Sequence, residues 1–220
     1  MRLHQILFVF WKKKCTFASL IDLMENIHPI FDQVLDRSSK EALLKQKGIV
    51  LWFVGLSGSG KSTIAKAIEQ ELHQAGKLTM LLDGDNLRTG INNNLGFSEA
   101  DREENIRRAA EVAKLFASNG IITICSFISP TEKIRSLAQH IIGKDYFEVF
   151  IHCPIEICEQ RDVKGLYQKA RKGEIKNFTG IDSPFENPTH PSIEVRTDLD
   201  SLEACKDNIM LAIKPLVYIS

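Results

Sequence analysis

A glycine-rich loop that ends in a lysine and a serine is the strongest chemical signal in this sequence. Residues 55–62 read GLSGSGKS and match the phosphate-binding pattern G-x-x-x-x-G-K-[ST]. Glycines in such a loop let backbone N–H groups turn toward phosphate oxygens. Lys61 would reach the β- and γ-phosphates of a nucleoside triphosphate, and the Ser62 hydroxyl would bind Mg²⁺. The pattern therefore predicts a site for a nucleotide and its metal ion.

The residues on either side of the loop support this interpretation. Ile49–Val54 is apolar and rich in β-branched residues, which is typical of a buried strand. The segment 63–74 places Ile64, Ile68 and Leu72 four residues apart, which predicts one apolar helix face. Because the motif needs a strand before it and a helix after it, these flanks argue against a chance match in a glycine-rich turn.

Two carboxylates follow the next apolar run, Leu78–Leu82. Asp83 and Asp85 are separated by Gly84, and in an extended strand end their side chains would point the same way. Such a pair could hold hydrated Mg²⁺ or accept a proton from an attacking hydroxyl. The alternative is a surface turn.

Two further clusters could contact an anionic substrate. Arg102 and Asn105 are three residues apart in a helix predicted to begin at a Ser98 cap, so we expect them to share a face. Residues 163–182 are basic and weakly periodic, as a lid that closes over the transferred phosphate would be. The alternatives are, respectively, a solvated charged helix face and a solvated basic helix.

Strands and helices alternate from Ile49 to the end of the chain. Further strands are predicted at Ile121–Ile128, Tyr146–His152 and Ile193–Arg196, and further helices at Thr131–Ile142, Pro154–Asp162 and Leu202–Val217. This alternation predicts an α/β protein of the P-loop NTPase type, with three layers and a parallel sheet covered by helices on both faces. We expect ligands beyond the carboxyl ends of the strands.

The composition narrows the class of protein further. The chain has 220 residues and zero formal net charge, so no global field favours nucleic acid or an acidic membrane. Its five cysteines form no C-x-x-C pair, and we expect reduced thiols in a cytoplasmic protein. No apolar run is long enough to span a membrane.

Residues 1–23 are predicted to be a non-core extension of a single domain that covers residues 24–220. Their apolar run precedes Lys12, Lys13 and Lys14, which reverses the order of a signal peptide. A weak membrane-surface helix is the alternative. The segment joins no strand–helix unit of the domain, so we expect it to be dispensable. Met24, which directly precedes the segment that resembles a known family, is a plausible translation start.

The chain resembles the adenylylsulfate kinase family from about Asn26 onward. The resemblance rests on the loop at 55–63 together with five other blocks: DGDNLR at 83–88, GFS at 96–98 with DRxENIRR at 101–108, SFISP at 126–130, KGLY at 164–167 and NFTGID at 177–182. Together these blocks are far more specific than the loop alone.

The resemblance implies transfer of the γ-phosphate of ATP to the 3′-hydroxyl of adenylylsulfate, with Mg²⁺ as cofactor and Lys61, Asp83 and Asp85 as catalytic residues. It implies a metal site at Ser62, Asp83 and Asp85. It assigns ATP binding to Gly55, Leu56, Ser57, Gly58, Ser59, Gly60, Lys61, Ser62, Thr63 and Arg161. It assigns adenylylsulfate binding to Arg88, Phe97, Arg102, Asn105, Ile128, Lys164, Leu166, Phe178, Thr179 and Gly180.

Ser129 matches a position that the family describes as a phosphoserine intermediate. Direct transfer needs no covalent intermediate, because positioning and charge stabilisation carry most of the chemistry. The chain departs from the family just after this residue, where Thr131-Glu132 replaces the usual Tyr-Arg. An aromatic ring and a positive charge are therefore missing beside the expected substrate region.

The resemblance also implies a homodimer, and it suggests functional coupling to an ATP sulfurylase. Three other functions compete with it. A switch GTPase would need N-K-x-D, which is absent, and the chain's D-x-x-G at Asp162–Gly165 follows a late helix. A kinase of another small metabolite is disfavoured by the block at 177–182. A catalytically idle partner domain is disfavoured by the intact Lys61 and Arg102.

Overall fold

The computed structural model describes residues 26–219, so the predicted extension at 1–23 lies outside the described residues. The chain divides into two units, Met1–Asp36 and Arg37–Ser220. In the described part of the first unit, the Gln33 N–H donates to the Ile30 carbonyl across a turn, at 2.9 Å. The second unit contains the α/β fold.

Strands and helices alternate through the second unit as predicted. The strands are β1 (Ile49–Val54), β2 (Thr79–Asp83), β3 (Ile122–Ser126), β4 (Tyr146–His152) and β5 (Ile193–Arg196). The helices are α1 (Arg37–Leu44), α2 (Lys61–Gln74), α3 (Gly84–Thr89), α4 (Glu99–Ser118), α5 (Glu132–Ile142), α6 (Ile155–Arg161), α7 (Leu166–Arg171) and α8 (Leu202–Val217). The third strand is shorter at both ends than the predicted Ile121–Ile128.

The five strands form one parallel sheet in the order β2-β3-β1-β4-β5. Every residue of β1 is buried, because successive side chains of a strand point to opposite faces and both faces are covered. Ile49, Leu51 and Phe53 pack with α2 and α8, whereas the alternate residues of β1 pack with α4 and α5. The predicted fold class is confirmed.

The predicted cap of the long helix is confirmed in detail. The Ser98 hydroxyl oxygen accepts from the Asp101 N–H at 3.2 Å, which satisfies a helix-end donor that would otherwise lack a partner. The buried face of α4 carries Ala109, Ala110 and Ala113. These short side chains let the helix lie close to the sheet.

Three short helices were not predicted, and one of them corrects the argument for the paired aspartates. Asp83 ends β2 and is the N-cap of α3, where its carboxylate accepts from the Asp85 N–H at 3.0 Å. Asp85 is therefore a first-turn helical residue, and the strand-end argument for a shared side-chain direction was wrong. The other two missed helices are α1, which buries no residue, and α7, which lies in the predicted lid.

Gln46 joins the starts of two strands through a fully buried amide. Its Nε2 group donates to the carbonyls of Leu78 and Gly120, both at 2.8 Å, and its Oε1 atom accepts from the Leu78 N–H at 2.7 Å. This amide is the partner of the Leu78 N–H and the Gly120 carbonyl, and it adds a second donor to the Leu78 carbonyl, which also accepts from the Ile122 N–H at 3.3 Å.

We predict that Gln46→Leu lowers the free energy of unfolding by about 3 kcal/mol, because it leaves the Leu78 N–H and the Gly120 carbonyl without their partner. Chemical denaturation measures the change. Gln70→Ala, which removes an exposed amide from α2, is the matched control and should change stability by less than about 0.5 kcal/mol. Equal stability of the two variants would contradict this role.

Candidate active site

The phosphate-binding loop connects β1 to α2 at the carboxyl edge of the sheet. Gly60 has a φ of 98° and is the N-cap of α2, whose first N–H groups offer a site for an anion. Gly58 has a φ of 78°, and a Cβ atom there would lie 3.0 Å from the Cys158 carbonyl oxygen. Only glycine therefore fits at this position without strain.

Lys61 is held inside the loop. Its side-chain Nζ donates to the Leu56 carbonyl at 2.6 Å, and the residue is 8% exposed. Burial lowers the pKa of Lys61 to about 8, although the carboxylates of Asp83 and Asp85 act in the opposite direction. A bound polyphosphate would supply the negative charge that favours the protonated amine.

Three oxygen-bearing side chains meet beside the loop. The Ser62 hydroxyl donates to the Asp83 carboxylate at 2.8 Å and lies 3.1 Å from the Ser126 hydroxyl oxygen. Mg²⁺ is usually bound through one or two carboxylates together with waters and substrate phosphates. This set of hard oxygen donors fits that requirement.

The two aspartates have different neighbours. The Asp83 carboxylate bonds to Ser62 and to the Asp85 N–H, on the side of the phosphate-binding loop. The Asp85 carboxylate forms an ion pair with Lys164, and this contact raises the pKa of Lys164. Asp83 therefore lies toward the phosphate-binding loop, and Asp85 toward the predicted lid.

Phe97 contacts two arginines, Arg88 through its ring and Arg102 through its backbone carbonyl. The Arg88 guanidinium lies 4.4 Å from the centre of the Phe97 ring, and the Arg102 Nε donates to the Phe97 carbonyl at 3.0 Å. Burial, and then the charge of Arg88, lowers the pKa of Arg102. Two partly desolvated cations beside a 61% exposed ring are suited to a ligand that is both aromatic and anionic.

Arg102 also reaches the predicted lid. It donates to the Thr179 hydroxyl at 2.8 Å and to the Asn177 carbonyl. A guanidinium has five N–H donors, so these contacts leave donors for an anionic group of the substrate. The Asn105 side chain has a different partner: its carboxamide oxygen accepts from the buried Asn92 at 3.0 Å. Arg102 and Asn105 therefore contact different residues, although they were predicted to share a helix face.

The predicted lid contacts the loop through α7 and the turn after it. The Tyr167 hydroxyl donates to the Ser57 carbonyl at 2.9 Å, and Phe178 packs edge-on against the Tyr167 ring at 5.0 Å. Gly180 lies so close to Leu56 that a Cβ atom would be 3.1 Å from the Leu56 Cδ2 atom. Leu166, the remaining lid residue of the predicted site, begins α7.

The D-x-x-G sequence at Asp162–Gly165 precedes α7, and its aspartate caps the first turn of that helix. The Asp162 carboxylate accepts from the N–H groups of Tyr167 and Gln168, both at 3.0 Å, and its carbonyl accepts from Gly165 at 2.8 Å. The motif therefore begins α7 and does not form a guanine-nucleotide switch.

The remaining predicted nucleotide contact, Arg161, is anchored by a residue that sequence reasoning missed. Arg161 donates to the Thr197 hydroxyl at 3.1 Å and to its carbonyl at 2.6 Å, while the Thr197 hydroxyl donates to the Ser59 carbonyl at 2.8 Å. Ile128 borders the loop from the other side, where its carbonyl accepts from the Gly55 N–H at 3.5 Å. The position of Thr197 directly after β5 indicates the carboxyl edge of the sheet, but it does not identify the partners of the side chain.

Ser129 is buried beneath the site. It is 2% exposed, its hydroxyl oxygen accepts from the Trp52 indole N–H at 3.0 Å, and its φ of 43° is unusual for serine. A phosphoryl group on this oxygen would have to displace the indole and bury two negative charges.

A separate cavity of about 510 Å³ adjoins the loop at Leu56 and lies against β4, Ile155 and the turn 180–185. Of the predicted adenylylsulfate contacts, only Gly180 lines it. The cavity is therefore distinct from the cluster of Arg88, Phe97 and Arg102. Within residues 26–219, no helix is long and apolar enough to cross a membrane.

The parallel sheet, the loop with its lysine and the adjacent carboxylate define a P-loop phosphotransferase. The family model for adenylylsulphate kinase matches residues 47–196. The chain belongs to the adenylylsulfate kinase family, the enzymes of sulfate activation, and is an ATP-dependent kinase.

Individual relatives agree with this membership. An adenylyl-sulfate kinase of Bacteroides fragilis is 61% identical over 193 residues, which cover 87% of this chain and 96% of that protein. One of Clostridium acetobutylicum is 61% identical over 180 residues, covering 82% and 90%. The Mycobacterium tuberculosis APS kinase CysC, solved in complex with AMPPNP and APS, is 46% identical, has a TM-score of 0.74 and covers 76% of this chain and 98% of that chain.

We predict that Ser129→Ala retains turnover within about threefold and destabilises the protein by about 1–3 kcal/mol, because the buried Trp52 N–H loses its acceptor. Steady-state kinetics and thermal unfolding test the two effects separately. Ser136→Ala, which removes an exposed hydroxyl from α5, is the control for stability. A loss of activity of several orders of magnitude would favour a phosphoserine.

We predict that Lys61 takes up about half a proton from solvent when ADP binds at pH 8. A group with a pKa of about 8 is half neutral at this pH, and the bound phosphates favour its charged form. The uptake should fall toward pH 6.5, where Lys61 already carries its proton. Calorimetry in two buffers of different ionisation enthalpy measures it, and Lys61→Met should abolish the Lys61 contribution. The same uptake in wild type and variant would contradict the assignment.

Proposed function

We propose that this chain transfers the γ-phosphate of ATP to the 3′-hydroxyl of adenylylsulfate through the residues assembled at the carboxyl edge of its sheet. One arrangement supports this proposal most: Asp83 and Asp85 lie between a phosphate-binding loop and a paired-arginine cluster. The loop side would bind ATP, and the cluster of Arg88, Phe97 and Arg102 would bind the acceptor.

On the nucleotide side, the loop N–H groups and Lys61 would hold the β- and γ-phosphates. Ser62 and Asp83 would hold Mg²⁺, with Asp85 joining through water, and the bound ion would neutralise charge on the phosphates during transfer. Lys61 is most valuable in the transition state, where negative charge shifts between oxygens. Arg161, which Thr197 anchors to the loop, would lie against the adenine.

On the acceptor side, Arg102 and Arg88 would bind the negatively charged groups of adenylylsulfate, and its adenine would pack near Phe97 and Phe178. Asn105 and Ile128 would line the same subsite. The Asp85 carboxylate, which is not engaged by Ser62, is suited to accept the proton of the attacking hydroxyl. Lys164 would then leave Asp85 and follow the transferred charge as the lid closes.

The lid is a proposal that rests on contacts to both subsites. Tyr167 bonds to the phosphate-binding loop, Arg102 bonds to residues 177–179, and Lys164 pairs with Asp85. Because these contacts join the segment 164–179 to residues of both proposed subsites, closure of the segment would exclude water from the transferring phosphate.

Assembly and location follow as further proposals. The described cysteines, Cys125, Cys153, Cys158 and Cys205, are free thiols, which suits a reducing cytoplasm. A homodimer and coupling to an ATP sulfurylase remain predictions. A structural neighbour from Thiobacillus denitrificans is a hexameric APS kinase, of which this chain covers 29%. Light scattering would determine the oligomeric state.

The reaction is tested by coupled measurement of ADP release with adenylylsulfate and with other nucleotide and sugar acceptors. We expect turnover that depends on adenylylsulfate. Turnover that prefers another acceptor would identify a different small-molecule kinase, and no turnover with any acceptor would favour an idle domain.

We predict that Arg102→Ala lowers kcat/KM for adenylylsulfate by about 10- to 100-fold, the effect of losing hydrogen bonds to a charged group. ADP affinity should change little, because Arg102 lies on the acceptor side. Arg107→Ala is the matched control, since Arg107 lies on the same helix but pairs with Glu104 at the surface. If Arg102→Ala weakens ADP binding as much as it lowers kcat/KM for adenylylsulfate, the assignment of Arg102 to the acceptor side is wrong.

A further inference from the structure

Ser126 is a buried hydroxyl at the metal-binding side of the site, and no role was assigned to it individually. It ends β3, is 4% exposed and stands opposite Asp83 in the register of the sheet. Its Oγ atom lies 3.1 Å from the Ser62 Oγ atom. The same register aligns Ser126 with Phe53 of β1, two residues before Gly55, where the phosphate-binding loop begins.

The neighbouring contacts determine which hydroxyl donates. Ser62 has one hydroxyl proton, and the ionised Asp83 carboxylate 2.8 Å away only accepts hydrogen bonds. Because the Ser62 proton is directed to Asp83, Ser126 must donate in the contact between the two serines. The Ser62 oxygen then has a fixed orientation, with a remaining lone pair free for a metal ion.

We propose that Ser126 is a positioning residue for the metal ion that accompanies the nucleotide. Its donated hydrogen bond holds the Ser62 oxygen so that it can bind Mg²⁺ while its proton stays on the side of Asp83. The inference rests on the proposed function, in which Ser62 and Asp83 hold the metal. Ser126 itself touches neither nucleotide nor metal in this assignment.

The proposal has a readout that a purely structural role would not change: the ratio of the ADP dissociation constant in EDTA to that in saturating Mg²⁺. Titration calorimetry gives both constants. We expect Ser126→Ala to reduce this ratio by about threefold to tenfold, the effect of losing one hydrogen bond, with less than about a twofold change in EDTA. Ser126→Cys, which keeps the shape with a weak donor, should also reduce the ratio, and Ser126→Thr should restore it.

Two further variants calibrate the measurement. Thr123→Val removes another buried hydroxyl from β3, one that bonds only weakly to the Ile121 carbonyl at 3.4 Å, and should leave the ratio unchanged. Asp83→Asn should reduce the ratio most, because it removes a proposed ligand.

The outcomes distinguish a failure of the Ser126 positioning role from a failure of the proposed metal site. A wild-type ratio in both Ser126→Ala and Ser126→Cys overturns the positioning role and leaves the metal site intact. Equal weakening of ADP with and without Mg²⁺ also overturns it, because the residue would then act on the fold alone. If wild type binds ADP equally well in EDTA and Mg²⁺, the proposed metal site itself fails.

Discussion

The parallel register of three neighbouring strands is the constraint on which the site depends. Asp83 of β2 and Phe53 of β1 both align with Ser126 of β3, so β2 and β3 end at the same level and β1 ends one residue further on. A shift of one residue in β2 would turn the Asp83 side chain to the other face of the sheet. The register is held by buried residues such as Leu82 and Cys125, so core packing determines where the carboxylate meets the phosphate-binding loop.

Local charge, and not total charge, shapes this site. The chain has zero formal net charge, yet Lys61, Arg88, Arg102 and Lys164 approach the same edge of the sheet. Burial lowers the pKa of Lys61 and of both arginines, so desolvation opposes these charges. Anionic ligands would offset this desolvation, because a negative charge nearby favours the charged form of each cation. The electrostatics of the site therefore favour phosphorylated or sulfated ligands.

The sequence predicted the sheet and the loop because their signals are local. β1, β4, β5 and α8 have the predicted bounds, since continuous apolar runs and helical periodicity are read from neighbouring residues. The short helices α1, α3 and α7 escaped prediction because so few residues carry little periodicity. The same limit explains why the paired aspartates were placed on an extended strand.

Contacts between distant segments could not be predicted in the same way. Tyr167 reaches Ser57 across more than a hundred residues, and Thr197 reaches Ser59 across still more. Nothing in the residues around Tyr167 or Thr197 reveals these partners. The partner of each side chain depends on how the sheet brings distant segments together.

The replacement of Tyr-Arg by Thr131-Glu132 is explained by the packing of α5. Thr131 caps this helix, and the Glu132 carboxylate accepts from Arg135 at 2.9 Å, although Arg135 is only 2% exposed. Arg135 also donates to the carbonyls of Ser129 and Glu186 at 3.2 and 2.8 Å. An arginine at position 132 would remove the carboxylate partner of this buried guanidinium and put a second positive charge three residues away, which would destabilise the buried charge. Glu132 therefore belongs to the network that holds the Ser129 turn in place.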